Sequence, residues 1–251
     1  MATRRGVLTA GAGAAALVAG FQVAPGLISR LRGPRYSDYA PVAGFRRIGA
    51  GGDLSRGGGR DVLAGIDPGP GIPPAAMAAV RADLCGALFY EGAGAGEVPA
   101  AYFTDHYCPY CRTLSDLLAR LAPREGVRIS HHFTPLFGRA SELAARAALA
   151  ARGQDAFGAL NAALTETALS VTPRALDRIA AQAGLDPDRL ARDMAAPRVA
   201  QALERARVLA RIFGFPGTPA LVVNRTVILG RVDAPTLAAV IADERGAPRP
   251  C

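Results

Sequence analysis

The sequence contains no lysine, because all 29 basic residues among its 251 positions are arginine. This absence excludes a Walker-type phosphate loop and Schiff-base chemistry, since both need a lysine amine. Gly57, Gly58 and Gly59 are therefore interpreted as a loop and not as a phosphate cradle. The formal charge of +8 is spread along the chain without a basic cluster, so it predicts no nucleic-acid partner.

Cysteine is scarce, with four residues in the whole chain. Cys108 and Cys111 form a CPYC motif, and Cys85 and Cys251 lie far from it in sequence. No second CxxC and no HxxxH pair is present, so a zinc site is not the favoured interpretation. It remains an alternative, because the two motif cysteines have zinc-ligand spacing and three histidines could complete the set: His106, His131 and His132.

The first 35 residues have the composition of an export signal. Arg4 and Arg5 precede an Ala/Gly/Val stretch that carries no charge before Arg30. This segment resembles a twin-arginine signal and predicts export to the periplasm, where disulfides form and persist. An uncleaved membrane anchor is the alternative, because the stretch could cross a bilayer and no clean cleavage site follows. The arginines beyond the stretch argue against an anchor.

Residues 36–97 are predicted to be a loop-rich extension that ends in a helix. Glycine and proline are frequent between residues 36 and 75. The predicted elements are strands at Gly44–Ile48 and Asp61–Ile66 and one helix at Ala76–Phe89.

The rest of the chain is predicted to be one α/β domain interrupted by helices. Residues 98–140 follow the pattern strand, helix, strand, which forms a βαβ unit. Residues 141–213 are helical throughout, and residues 214–247 return to two strands and a helix. The predicted strands are Val98–Thr104, Val127–Phe133, Ala220–Val223 and Thr226–Leu229.

The CPYC motif lies where the first of these strands runs into a helix. Free backbone N–H groups at a helix start stabilise a thiolate, which favours Cys108 as the nucleophile. Pro109 suits the first turn, and the spacing lets Cys111 reach Cys108 from the buried side as the resolving thiol. A permanent structural disulfide is the alternative, although so small a loop contributes little stability.

This arrangement resembles the thioredoxin superfamily, specifically its DsbA-like thiol:disulfide oxidoreductases. The resemblance covers about residues 76–247 and includes a later "GTPALVVN" segment. It implies a thioredoxin-like fold with an inserted all-helical subdomain, exchange of disulfides with client proteins, and no organic cofactor. The residues that carry it are Phe103, Cys108, Pro109, Tyr110, Cys111, Gly217, Thr218, Pro219 and Ala220.

The resemblance also implies roles for residues around the dithiol. Pro219 is expected to be cis and to lie against Cys108, which leaves the backbone of Thr218 to pair with an extended client. Pro109 and Tyr110 are expected to border the same substrate site. Relatives often carry a buried carboxylate where this chain has Tyr102.

Three further polar residues have open interpretations. Asp105 and His106 are candidates for tuning Cys108; the alternatives are a solvated or capping aspartate and an exposed loop histidine. His131 and His132 point to opposite faces of their strand, so at most one is expected to face the core.

The predicted function is an exported oxidase that donates the Cys108/Cys111 disulfide to client thiols and is regenerated by a membrane or soluble redox partner. A periplasmic reductase or isomerase is the first alternative, and a non-enzymatic exported binding module is the second. Cys85 and Cys251 either form a second disulfide, worth at most roughly 5 kcal/mol, or remain as a buried thiol and a free tail thiol.

Overall fold

The computed structural model describes residues 33–49, 71–167 and 171–251. The predicted export signal, apart from its last three residues, the glycine loop at 57–59 and the predicted strand at Asp61–Ile66 lie outside these ranges. Six strands form one sheet: β1 Tyr36–Asp38, β2 Arg46–Ile48, β3 Val98–Thr104, β4 Val127–Phe133, β5 Ala220–Val223 and β6 Thr226–Leu229.

The sheet has the strand order β1-β2-β6-β5-β3-β4. Strand β3 pairs in parallel with β4 and antiparallel with β5, and all seven of its residues are buried. Strand β4 is therefore an edge of the sheet, and β3 is covered on both faces. The four strands predicted between residues 98 and 229 are confirmed with the predicted bounds.

The helices that the structure describes are α1 Pro74–Ala82, α2 Leu84–Leu88, α3 Pro109–Leu121, α4 Arg139–Ala150, α5 Phe157–Glu166, α6 Pro173–Gln182, α7 Pro187–Met194, α8 Pro197–Ile212 and α9 Ala234–Glu244. The predicted starts of α6 and α7 are confirmed, because Thr172 and Asp186 accept backbone N–H groups as N-caps. Within the described ranges, no helix has the length and apolar character needed to span a bilayer.

The prediction of one helix at Ala76–Phe89 is wrong. Helix α1 ends at Ala82, and the carboxylate of Asp83 accepts the N–H of Gly86 as the N-cap of α2. Only glycine fits there, because a Cβ on residue 86 would lie 2.1 Å from an Asp83 oxygen. A side chain that caps a new helix has replaced the intrahelical bonds that would continue the old one.

The N-terminal extension contributes two strands to the sheet. β1 and β2 form an antiparallel pair, and β2 lies parallel to β6. Arg46 in β2 pairs with the buried carboxylate of Glu244 at 2.7 Å, which ties the extension to the C-terminal helix. The predicted strand at Gly44–Ile48 is present as β2, whereas β1 lies in a segment whose short polar sequence gave no strand signal.

A disulfide joins α2 to the last residue of the chain. Cys85 and Cys251 are 166 residues apart in sequence and their Cα atoms are 5.6 Å apart. Of the two alternatives that the sequence left open for these cysteines, the structure contains the disulfide.

Both faces of β4 are packed, so the expectation that at most one of its histidines faces the core is wrong. The ring of His132 stacks on Phe103 at 4.7 Å, and its Nε2 lies 2.8 Å from the carbonyl oxygen of Leu88. On the other face, His131 contacts the rings of Tyr102 and Phe157 at 5.9 and 5.1 Å. Helix α5 covers the face that a sheet with one helical layer would expose.

Burial lowers the pKa of His132 from 6.5 to about 3, because the folded protein disfavours its charged form. The unfolded chain binds this proton below about pH 6.5 and the folded chain does not, so stability falls as the pH decreases from 7 to 5. One such histidine is worth roughly 2 kcal/mol over this interval.

We therefore predict that His132→Gln reduces the loss of stability between pH 7 and pH 5. The variant removes the titrating group and keeps a side-chain donor for Leu88. Urea unfolding of both proteins at the two pH values measures the difference, since all other titrating groups are shared. Equal losses in the wild type and the variant would contradict the assignment.

Candidate active site

The two motif cysteines lie at the start of α3, directly beyond the buried end of β3. Cys108 is the N-cap residue, and its Sγ accepts the backbone N–H of Cys111 at 3.1 Å. Pro109 occupies the first turn, where a helix has no acceptor for a backbone N–H. The sulfur of Cys108 thus takes the acceptor position that an oxygen holds at most helix starts.

The two sulfurs have different environments. Burial raises the pKa of Cys111, and the hydrogen bond and charge of the neighbouring Cys108 raise it further. Cys108 accepts a helix N–H, whereas Cys111 has helix on both sides. Both residues are only 1% exposed and both are free thiols. The arrangement keeps the proton on Cys111 and places negative charge at Cys108.

Thr218 and Pro219 lie across from Cys108. The Sγ of Cys108 lies 3.6 Å from the carbonyl oxygen of Thr218, and the Thr218–Pro219 peptide bond is cis. The pairing of Phe103 with Ala220 brings β5 beside β3 and so aligns this segment with the dithiol. The backbone of residue 218 is therefore next to the sulfur that the sequence predicted to react.

Asp105 organises the loop before the dithiol. Its carboxylate accepts the N–H of Tyr107 at 2.8 Å, the N–H of Leu136 at 2.6 Å and the hydroxyl of Ser141 at 2.9 Å. Its carbonyl oxygen accepts the N–H of Cys108 at 3.1 Å. The residue is 3% exposed, so the interpretation as a solvated aspartate is wrong. Three donors from two segments offset the cost of burying a carboxylate.

His106 is buried against the helical insertion, so its interpretation as an exposed loop residue is wrong. Its Nε2 lies 3.0 Å from Oδ1 of Asn161 in α5, and its ring stacks on Phe133 at 4.9 Å. Burial lowers the pKa of His106, although Asn161 and Asp105 act in the opposite direction. The imidazole is thus held neutral beside the dithiol loop.

Tyr102 contacts the backbone of the resolving cysteine. Its hydroxyl donates to the carbonyl oxygen of Cys111 at 2.8 Å and lies 3.2 Å from the hydroxyl of Ser115. Burial raises the pKa of Tyr102 well above its usual value, as does the charge of Cys111. Sequence reasoning recorded Tyr102 only as a missing carboxylate. Its position on the α3-facing side of β3 was the available signal, because alternation along the strand points it toward that helix.

Pro109 and Tyr110 lie on the outer side of the motif. Pro109 is exposed and Tyr110 is half-buried, with the guanidinium of Arg231 5.8 Å from the centre of its ring. Sequence reasoning missed Arg231, Asn161 and Ser141, because each reaches the dithiol region from a distant segment.

The described ranges contain no group of three or more histidine, cysteine, aspartate or glutamate residues arranged to hold a metal ion. His106, His131 and His132, proposed as partners of the cysteines in a zinc site, instead contact aromatic rings.

Comparison with known proteins agrees with this geometry. The model of the DSBA-like thioredoxin domain family matches residues 101–242, which is more than half of the chain. No curated protein matches the chain.

Solved structures share the fold. A thioredoxin-like oxidoreductase from Silicibacter pomeroyi DSS-3 is 34% identical, with a TM-score of 0.61, over 65% of this chain and 99% of that protein. A periplasmic thioredoxin-like protein from Salmonella enterica serovar Typhimurium is 25% identical, with a TM-score of 0.58, over 71% of this chain and 100% of that protein. The thiol-disulfide exchange protein alpha-DsbA2 from Wolbachia pipientis is 20% identical, with a TM-score of 0.60, over 67% and 95%.

The strand β3, the helix α3 that begins with two free cysteines, and the cis peptide bond opposite them are the parts that the family match joins in one domain. The chain belongs to the DSBA-like thioredoxin domain family and is a thiol:disulfide oxidoreductase.

Proposed function

We propose that Cys108 is the cysteine that forms the mixed disulfide with a client protein and that Cys111 resolves it. The observation that carries this assignment is the hydrogen bond from the N–H of Cys111 to the Sγ of Cys108 at the start of α3. A sulfur that accepts a helix N–H carries negative charge at lower cost than one inside the helix, which makes it the better nucleophile and the better leaving group.

The client is proposed to bind along Thr218 and Pro219. The carbonyl oxygen of Thr218 is 3.6 Å from the Sγ of Cys108, so a client backbone that pairs with residue 218 brings its own cysteine next to that sulfur. Tyr110 and Pro109 border this position on the side of α3. The substrate class is therefore a polypeptide with an accessible thiol or disulfide.

The proposed direction is oxidation of client thiols. The charge of an oxidised protein's Cys108 leaving group is stabilised by the helix start, which favours the reduced enzyme and hence disulfide donation. Export through the twin-arginine-like N-terminus fits this direction, because disulfides persist outside the cytoplasm. Cell fractionation of the full chain checks the location. A membrane or soluble partner that accepts electrons would complete the cycle.

Replacement of each cysteine separates their roles. Reduced Cys111→Ser should attack oxidised glutathione through Cys108, so that one new S–S bond forms, the glutathione disulfide breaks and one glutathione leaves as a thiolate. The adduct should persist, because no resolving thiol remains, and intact-protein mass spectrometry detects it. Cys108→Ser is the matched control and should form no stable adduct. A persistent adduct on Cys108→Ser alone would reverse the assignment.

The equilibrium with glutathione determines the direction. An oxidase should have a reduction potential less negative than about −180 mV, whereas a reductase should lie near about −270 mV. Equilibration of the purified protein with defined ratios of reduced and oxidised glutathione, followed by thiol counting on Cys108 and Cys111, measures the potential. A value in the lower range would favour the reductase.

Asp105 is proposed as a positioning residue. Asp105→Asn replaces one acceptor oxygen with a donor and leaves Tyr107 or Leu136 without its partner. We expect exchange with glutathione to slow about tenfold, because the loop that ends at Cys108 moves relative to α3. Ser141→Ala removes one of the same three hydrogen bonds without changing the loop and should slow exchange less than about twofold. Equal rates for the two variants would contradict a role specific to Asp105.

A further inference from the structure

The open edge of β4 forms one wall of a groove between α3 and α5. The groove has a volume of about 560 Å³ and is open to solvent along one side. Val127, Ile129 and His131 of β4 line it, and β4 has a pairing strand only on its other edge. An edge strand exposes unpaired main-chain groups that can pair with a further strand.

The hydrogen-bond phase of the β3–β4 ladder identifies these groups. Val98 donates to the carbonyl oxygen of Gly126 at 2.9 Å at one end, and Thr134 donates to that of Thr104 at 2.9 Å at the other. In a parallel ladder the bonded residues alternate, so the even-numbered residues of β4 face β3. The odd-numbered residues therefore direct their N–H and C=O groups into the groove.

Neighbouring groups already use part of this edge. The N–H of Val127 donates to Ala122 at 2.9 Å, and the carbonyl oxygen of His131 accepts the hydroxyl of Tyr90 at 2.7 Å. Ile129 lies between them, and no backbone hydrogen bond within the described ranges reaches its N–H or C=O from the groove side. One residue thus offers a donor and an acceptor to an incoming strand.

Small side chains on the two helices leave room for that strand. Ala119 and Ala122 of α3 face Gly158 and Ala162 of α5 across the groove. A Cβ on Gly158 would meet no atom within 4 Å. The Nδ1 of His131 is buried and has no hydrogen-bond partner within the described part of the chain. The groove is a polypeptide-sized space with unused polar groups in its wall.

The groove is continuous with the dithiol site. Tyr102 lines it and donates to the carbonyl oxygen of Cys111, and Asn161 lines it and contacts His106 beside the dithiol loop. A chain bound along β4 therefore lies one side chain away from the backbone of the resolving cysteine.

We propose that this groove binds an extended segment of the client polypeptide by strand addition to β4 at Ile129. This inference rests on the proposed exchange with client thiols. An unfolded client has free main-chain N–H and C=O groups, which pair with those of Ile129, and apolar side chains, which fit the alanine-lined walls. A client held at both the groove and the dithiol gains affinity, because the second contact becomes intramolecular. A small thiol cannot use the groove.

Gly158→Trp fills the groove without touching the dithiol, and Gly158→Ala is the matched control. Both replace an exposed helical glycine, and alanine there is a better helix former. We expect Gly158→Trp to lower kcat/KM for reduced, unfolded lysozyme about tenfold while the rate with glutathione stays within about twofold of the wild type. Gly158→Ala should match the wild type with both substrates.

Ile129→Pro tests the main-chain pairing itself. Proline at residue 129 removes an N–H that the β3–β4 ladder does not use, so the sheet keeps its native hydrogen bonds. We expect the same selective loss with unfolded lysozyme, whereas Ile129→Val should behave as the wild type. Thermal unfolding of each variant shows that the fold is retained.

The outcomes separate the two levels of inference. A wild-type protein that does not react with glutathione overturns the proposed function. A reactive wild type whose Gly158→Trp and Ile129→Pro variants retain full activity with unfolded lysozyme overturns the groove assignment alone. Equal losses with both substrates overturn it too, as does a concentration-dependent dimer of the wild type that Gly158→Trp abolishes, since the occupant would then be a second copy of the chain.

Discussion

The hydrogen bond from the N–H of Cys111 to the Sγ of Cys108 is the interaction around which the site is built. Two chemically identical residues acquire different properties because one caps a helix and the other lies inside it. The free N–H groups of the first turn stabilise charge at the cap. Burial opposes charge at Cys111 and raises its pKa. The asymmetry that thiol:disulfide exchange needs therefore comes from the backbone of α3.

The start of α3 has to be held in place, and Asp105 does this from the preceding loop. Its buried carboxylate joins the dithiol loop to Leu136 and Ser141, where the helical insertion begins. Asn161 in α5 adds a second link through His106. The insertion is thus part of the active-site framework, because removing its donors would leave a buried carboxylate without partners.

The two edges of the sheet are treated differently. At one edge, the extension adds β1 and β2, and the Arg46–Glu244 ion pair and the Cys85–Cys251 disulfide hold the extension and the C-terminal tail to the domain. At the other edge, β4 carries helices above and below but no further strand. An open edge between two helices admits one extended chain and protects against wider sheet formation. This geometry connects the packing of the insertion to substrate selection.

The sequence by itself determined the order and bounds of the elements that carry the dithiol, because strand alternation, the leucine stripe of α3 and the caps at Thr172 and Asp186 are local signals. The CPYC motif and the later Thr218–Pro219 pair also identified the reactive centre. Tertiary structure decided what surrounds it: the burial of Asp105 and His106, the contact of Tyr102 with Cys111, the pairing of Cys85 with Cys251, and the addition of β1 and β2 to the sheet. Those features depend on segments tens to hundreds of residues apart, and no local pattern records which distant donor or strand will arrive at a given side chain.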